Sequence, residues 1–448
     1  MENGPQREYK KKGLLPLEEI RFILLLMNKE AINCTKNLMD FISSSPSCYH
    51  VVDNAKRKLE ENGFIELYEN KPFNLERGKS YFVKRSSSSL IAFRIPKNPS
   101  FFHIVASHTD SPNFKLKWDS IVESSPLRLN VEGYGGLLIY SWLDRPLSVA
   151  GRVFLKNNGK VDERLVDLKD KLNVTIPSLA IHQNREANNG WKISIQKEML
   201  PLFSDTEKDF LTYLCSLIGE EKDSIIDYDL FLYNLTSPSF SGANKEYFSA
   251  PKIDDLGCVF SSLEALCEEK SNDSISMICL FDNEETGSGT RDGALSDFLT
   301  STLNRIAFSL NWNEEERYIA LSSSFMLSAD NGHAVHPAFP EKSDITNKPK
   351  MNGGVLLKYA ASQKYTTNGE TGAFTKALLE DNNIPYQVFH NNSDLPSGST
   401  LGNLSTQKVS IKTSDVGVAE LAMHSSYETA GSFDTLSLKN LFKAFFRF

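Results

Sequence analysis

Apolar positions along the chain fall into two rhythms. Ile32, Leu38, Met39 and Ile42 recur at helical spacing, and the pattern stops at Ser43-Ser44-Ser45-Pro46. A second helix is predicted over 51–61, closed by Gly63. The rhythm then shortens to alternation at 64–68, 80–84 and 90–95, with the serine run 86–89 predicted as a hairpin loop between the last two segments.

Four later segments share one grammar, in which an apolar or β-branched run ends abruptly in histidine or carboxylate. Residues 101–106 lead into His108-Thr109-Asp110, and 275–281 into Asp282-Asn283-Glu284-Glu285. Residues 318–327 lead into Asp330, and 416–423 into His424. Helical patterns lie between several of them, at 259–268 and 295–308. Strands alternating with helices predict an α/β fold with a largely parallel sheet covered on both faces. Ligands in such sheets bind beyond the carboxyl ends of the strands, so the four polar endings are expected to converge there. Residues 119–245 differ, with short strand patterns, turn glycines and few helical repeats. They are read as a β-rich domain inserted into a discontinuous domain made of 1–118 and 246–448.

Charge narrows the function. Lys plus Arg number 49 and Asp plus Glu 57, a formal charge of −8. That balance argues against a nucleic-acid partner, for which clustered positive charge supplies most of the affinity. The basic run Lys10-Lys11-Lys12 reads as a solvated tail. The longest aliphatic run, 22–27, is far short of the ~20 residues of a membrane span and lacks the flanks of a signal peptide. Cys34, Cys48, Cys215, Cys258, Cys267 and Cys279 show no CxxC spacing and read as reduced thiols of a cytoplasmic protein. Any metal must therefore be held by histidines and carboxylates.

Each polar ending has a plain reading beside the chemical one. Glu284-Glu285 is a solvated loop, or a pair that divides the work between ligand and general base, since adjacent side chains point apart; Gly287-Ser288-Gly289 lets the backbone fold tightly there. His108 and Asp110 are a simple hydrogen-bonded pair, or a ligand and the carboxylate that fixes its tautomer. Asp254-Asp255 caps a helix, binds a metal, or splits the two tasks. His333 and His336 follow Asp330, but Pro337 argues against a regular helix that would align them. His424 alone reads as a satisfied structural residue. Pooled, two histidines and several carboxylates without cysteine suit Zn²⁺, Mn²⁺ or Co²⁺, and one histidine and one carboxylate per ion with a shared carboxylate describe a two-metal hydrolytic site.

Taken together, the motifs resemble the aspartyl aminopeptidase family of co-catalytic zinc metallopeptidases. The match rests on Ser107-His108-Thr109-Asp110-Ser111-Pro112, Glu132-Gly133-Tyr134-Gly135-Gly136, Trp142-Leu143-Asp144-Arg145, Ala180-Ile181-His182 and Pro251-Lys252-Ile253-Asp254-Asp255. Asp282-Asn283-Glu284-Glu285, Ser328-Ala329-Asp330, Pro396-Ser397-Gly398-Ser399-Thr400 and Met423-His424-Ser425 continue it in family order. The resemblance implies a metallo-aminopeptidase that removes N-terminal Asp or Glu from peptides with a free N-terminus, through water activated by two zinc ions per subunit, with Co²⁺ or Mn²⁺ as substitutes. It implies His108, Asp254, Glu285, Asp330 and His424 as metal ligands, with Asp254 bridging. Glu284 would be the general base and Asp110 the residue that orients His108. His182 would reach a neighbouring subunit's site, and His333, Lys358 and Tyr365 would meet the substrate. A tetrahedral dodecamer built through the β-rich insert is implied as well. Leu143, Pro146, Asp255 and Thr286 depart from the family pattern, and Asp255 adds negative charge near the metals. The rival expectations are a metal-dependent deacylase or amidase on the same scaffold, and a non-catalytic self-assembling shell.

Overall fold

The computed structural model describes residues 17–448 apart from 222, 223, 271, 272, 397 and 399, with side chains from residue 29 onward. The basic run 10–12, Ser397 and Ser399 lie outside the described residues, and so do the side chains of 22–27.

A nine-stranded mixed sheet organises the chain. In spatial order its strands are Ile65–Leu67, Ser80–Arg85, Ser89–Arg94, Ser274–Phe281, Phe101–His108, Phe325–Ala329, Lys412–Gly417, Val355–Tyr359 and Tyr386–His390. The central four, from Ser274–Phe281 to Lys412–Gly417, run parallel. Their residues are buried on both faces, so the period-two alternation separates two cores rather than core from water. Val105, Ile278 and Leu327 join Leu38, Val52, Leu59, Leu263 and Leu441 on one side. Ile104, Ala106, Met277 and Met326 join Phe298, Leu303, Ile306 and Leu401 on the other. The first core is covered by helices Leu17–Ser43, Cys48–Glu61, Ile253–Glu268, Gly369–Asp381 and Asp434–Arg447. The second is covered by Phe298–Ser309, Glu314–Ser323 and Leu401–Thr406.

Two expected strands are revised. Residues 318–327 are not one strand: Asn313 and Glu316 form a reciprocal cap that starts helix Glu314–Ser323, and only Phe325–Ala329 is extended. Tyr318 and Ile319, which lengthen the apolar run in the sequence, are exposed on that helix. Residues 416–423 divide between two sheets. Lys412–Gly417 ends in the main sheet, and Ala419–Leu421 belongs to a five-stranded sheet ordered Ser239–Ser241, Tyr247–Ala250, Glu428–Gly431, Ala419–Leu421, Gly332–His333.

A six-stranded antiparallel sheet leaves the main one just after Asp110. Its order is Lys160–Asp167, Leu147–Asn157, Ile225–Asn234, Asn113–Val122, Leu127–Tyr134, Leu202–Ser204. It has its own core, including Phe114, Leu129, Val149, Leu230 and Leu232. Its strands lie within 113–234, and residues 239–250 already pair in the five-stranded sheet.

Candidate metal centre

Three parallel strands end at the site. His108 closes Phe101–His108, Asp282 to Glu285 follow Ser274–Phe281, and Asp330 follows Phe325–Ala329. Asp254 comes from the start of the Ile253–Glu268 helix, where its φ of −79° and ψ of 111° are not helical. His424 comes from the turn between Ala419–Leu421 and Glu428–Gly431, at φ +65°. Convergence thus takes three strand ends plus a helix start and a hairpin turn.

Asp254 stands between the two imidazoles. Its Oδ1 lies 3.4 Å from His108 Nε2 and its Oδ2 lies 3.5 Å from His424 Nε2. Glu285 Oε2 is 3.4 Å from His424 Nε2, and Asp330 Oδ1 is 3.9 Å from His108 Nε2. The other nitrogen of each ring is committed. His424 Nδ1 is 2.8 Å from the carbonyl of Gly136, and His108 Nδ1 is 3.1 Å from the carbonyl of Asp110. A ring whose Nδ1–H donates to a carbonyl turns its Nε2 lone pair outward, as metal-binding histidines do.

These residues fit a divalent cation. Donor atoms of His108, Asp254, Asp255 and Asp330, of His108, Glu284 and Glu285, and of Asp254, Glu285 and His424 form three groups, each within 4.8 Å. Two ligands each about 2.1 Å from a tetrahedral ion sit roughly 3.4 Å apart, the spacing found here. Asp254 Oδ1 and Glu285 Oε1 are buried without a hydrogen-bond partner, which is costly unless another positive group serves them. The electrostatics agree. Burial alone would lower the His424 pKa, yet Asp254 and Glu285 push it up to about 10. His108 is driven up in the same way against burial, chiefly by Asp255 and Asp110. Burial raises Glu285 well above the usual carboxylate range, and Asp254 adds to it. The cluster carries more carboxylate than its own cations balance.

Glu284 sits in the short turn Glu284–Thr286 beside Glu285. Burial, together with Asp330, Asp110 and Asp254, raises its pKa to about 8 in the cluster without cations, a further mark of excess negative charge there. Asp110 fixes this turn. Its Oδ1 accepts from the Glu284 N–H at 3.2 Å, and its Oδ2 accepts from the Glu285 N–H at 3.1 Å and from the Tyr134 hydroxyl at 2.6 Å. The same carboxylate lies 3.3 Å from His108 Nδ1.

The loop after strand Leu127–Tyr134 closes one wall. A β-carbon at Gly135, where φ is +74°, would come within 3.0 Å of Glu285 Cβ. One at Gly136 would come within 3.2 Å of His424 Nδ1. The Leu138 N–H also donates to the His424 carbonyl at 3.0 Å.

The remaining expected residues are placed unevenly. Lys358 is buried against Asp330, with the Tyr365 ring centroid 5.0 Å from its Nζ. His333 lies exposed on Gly332–His333, adjoining Asn331 and Asp330 in the chain. His336 packs against the Phe339 ring at a tilt and belongs to none of the ligand groups. His182 is exposed on a loop of the segment carrying the six-stranded sheet, and it too belongs to none of them. The sequence assigns Tyr134 and Glu428 no task, and for Asp255 it leaves capping and metal binding open without pointing to the contact found. Asp255 Oδ2 accepts from the His108 N–H at 3.1 Å. For Glu428, an isolated glutamate after a serine pair, the sequence offered no signal.

A mixed α/β sheet with histidines and carboxylates gathered at parallel strand ends defines a metal-dependent hydrolase. Comparison with known proteins specifies the kind. Residues 41–446 match the family model described as aminopeptidase I zinc metalloprotease (M18). A probable M18 family aminopeptidase 2 of Clostridium acetobutylicum is 39 % identical over 431 residues, covering 93 % of this chain and 99 % of its own. Among solved structures, a chain of the Ape4–Nbr1 complex superposes with a TM-score of 0.88 at 32 % identity, over 94 % of this chain and 86 % of its own. The S. cerevisiae mApe1 dodecamer gives 0.78 at 26 %, over 92 % and 95 %. The chain belongs to the M18 family of zinc metallo-aminopeptidases. Among the described residues no helix is long and apolar enough to cross a membrane.

Proposed function

We propose that this aminopeptidase is of the aspartyl type, removing N-terminal Asp or Glu from peptides with two zinc ions per subunit. The observation that carries the two-ion reading is Asp254, whose two oxygens each face a different imidazole nitrogen at 3.4 and 3.5 Å. His108, Asp254 and Asp330 would hold one ion, and Asp254, Glu285 and His424 the other. Zinc in such a site lowers the pKa of water toward neutrality and polarises a carbonyl oxygen. Glu284, in the turn next to the ligand Glu285, takes the proton of the attacking water and passes it to the departing amine. Asp110 holds the Glu284 turn and the His108 ring in register with each other.

The acidic preference is assigned to Lys358 and Tyr365, with His333 at the rim and His182 supplied by a neighbouring subunit. The dodecameric yeast neighbour supports a homo-oligomer. The cytoplasm, which keeps the six cysteines reduced, is the compartment assigned. Metal analysis of the protein, run beside an assay on aminoacyl substrates with free and blocked amines, tests the reading. Two zinc equivalents and a preference for free-amine Asp and Glu substrates are expected. Preference for blocked substrates would instead identify a deacylase.

A further inference from the structure

Glu428 opens the strand Glu428–Gly431 and is 2 % exposed, and it makes no ion pair with a described residue, although the buried Lys252 ammonium acts on it through space. Its two oxygens are used separately. Oε2 accepts from the backbone N–H of Asp254 at 3.1 Å, and Oε1 accepts from the backbone N–H of His424 at 2.7 Å. Asp254 and His424 are 170 positions apart in the chain, and the pairing of Tyr247–Ala250 with Glu428–Gly431, in which Ala250 opposes Glu428, brings their backbones together. The carboxylate therefore acts as a clasp between two backbones. Both need one. Asp254 has left helical geometry at the start of its helix, and His424 holds a left-handed conformation two residues after Ala422, itself at φ +58°. Non-glycine residues stay in that region only when their surroundings fix them.

We propose that Glu428 is a positioning residue for the metal centre. It sets the separation and aim of Asp254 and His424, and so the affinity of the ion held by Asp254, Glu285 and His424. The inference rests on the proposed reading of those three as ligands. Supporting groups that orient ligands typically carry a 10–100-fold share of metal affinity. Glutamine at this position retains one carbonyl acceptor, and its amide group opposes the second N–H, leaving one buried backbone donor unpaired.

Zinc content is followed during dialysis against a graded chelator for the wild type, Glu428→Gln, Glu428→Asp, Asp434→Asn, His424→Ala and Asp254→Asn. Asp434 is the control because it too is a buried carboxylate that accepts from two backbone N–H groups, those of Asn352 and Gly354, away from the ligands. Glu428→Gln is expected to lose one of two zinc equivalents at about 10–100-fold lower chelator strength, with the second retained longer. Asp434→Asn is expected to lower the melting temperature without moving zinc retention. Glu428→Asp keeps both acceptors one methylene shorter and carries the test if Glu428→Gln does not fold; its zinc loss is expected to fall between wild type and Glu428→Gln. Wild-type retention in a folded Glu428 variant overturns the proposal, and so does equal loss in Asp434→Asn. Full zinc retention by both His424→Ala and Asp254→Asn overturns the ligand reading itself, a result distinct from either of those.

Discussion

Lys358 commits all three of its N–H groups to Asp330 and its neighbour. Nζ lies 2.7 Å from the Asp330 carbonyl, 3.3 Å from Asp330 Oδ2 and 2.9 Å from the Asn331 carbonyl. Burial works against this ammonium, but the Asp330 charge outweighs it and keeps Lys358 protonated. The residue assigned to acidic substrates is thus also the brace of a proposed ligand. Lys358→Met is expected to lower kcat/KM about tenfold or more for every substrate through Asp330, with a further loss confined to acidic ones. The ratio of the two, measured on paired Asp and Ala substrates, is the test, and an unchanged ratio removes Lys358 from specificity.

Glu284→Gln keeps the size of the side chain and the backbone contacts of its turn while deleting the base. Turnover is expected to fall about 10²–10⁴-fold with zinc content unchanged. Near-normal turnover at full zinc occupancy would assign proton transfer to another group.

His182 is exposed and lies outside the ligand groups of its own chain. His182→Phe should therefore impair turnover and leave zinc bound. Mixed oligomers of His182→Phe and Glu284→Gln subunits should regain activity, because some sites then combine an intact base with an intact neighbouring imidazole. No recovery in oligomers shown to be mixed would place the shared residue elsewhere.

Acid sensitivity should arise partly outside the centre, at His103. This residue is buried on Phe101–His108 with its ring stacked on Phe445, centroids 4.4 Å apart. Burial lowers its pKa from 6.5 to about 4. Because the folded value is the lower one, the unfolded chain binds the proton first. The stabilisation is complete above about pH 6.5 and is lost as pH falls toward 4, by up to about 3 kcal/mol. His103→Phe is expected to flatten the fall in melting temperature between pH 7 and 5. An unchanged slope would assign that fall to other groups.

Chelation should destabilise the fold as well as stop the reaction. Without cations, Asp254, Asp255, Glu284, Glu285 and Asp330 crowd two imidazoles, and bound ions stabilise the folded state by mass action. A melting temperature that rises with added zinc is expected; one indifferent to zinc would show that the ions bind too weakly to matter.

The parts of the site legible in the sequence were those at the ends of buried parallel strands. His108, Glu284 and Glu285 follow runs that are apolar on both faces, and such runs must stop where the sheet meets a ligand. Asp330 was legible for the same reason, although the strand before it is half the apparent length because the cap at Asn313 claims Tyr318 and Ile319 for a helix. His424 was found as a residue and misjudged as an element. Its apolar run crosses from one sheet to another after Gly417, where a β-carbon would collide with the Asp330 carbonyl. Glu428 was illegible, because its meaning comes from pairing with Ala250, and long-range register leaves no local periodicity.

The contact of Gly135 and Gly136 with Glu285 and His424 bears on how this chain can be dissected. The loop that leaves the six-stranded sheet after Tyr134 supplies the carbonyl faced by His424 Nδ1 and a tightly packed wall against Glu285 and His424. Excising 113–234 to obtain a minimal enzyme would therefore leave Glu285 and His424 without this support, and any transplant of the reaction to another scaffold must carry the Gly135-Gly136 loop with it.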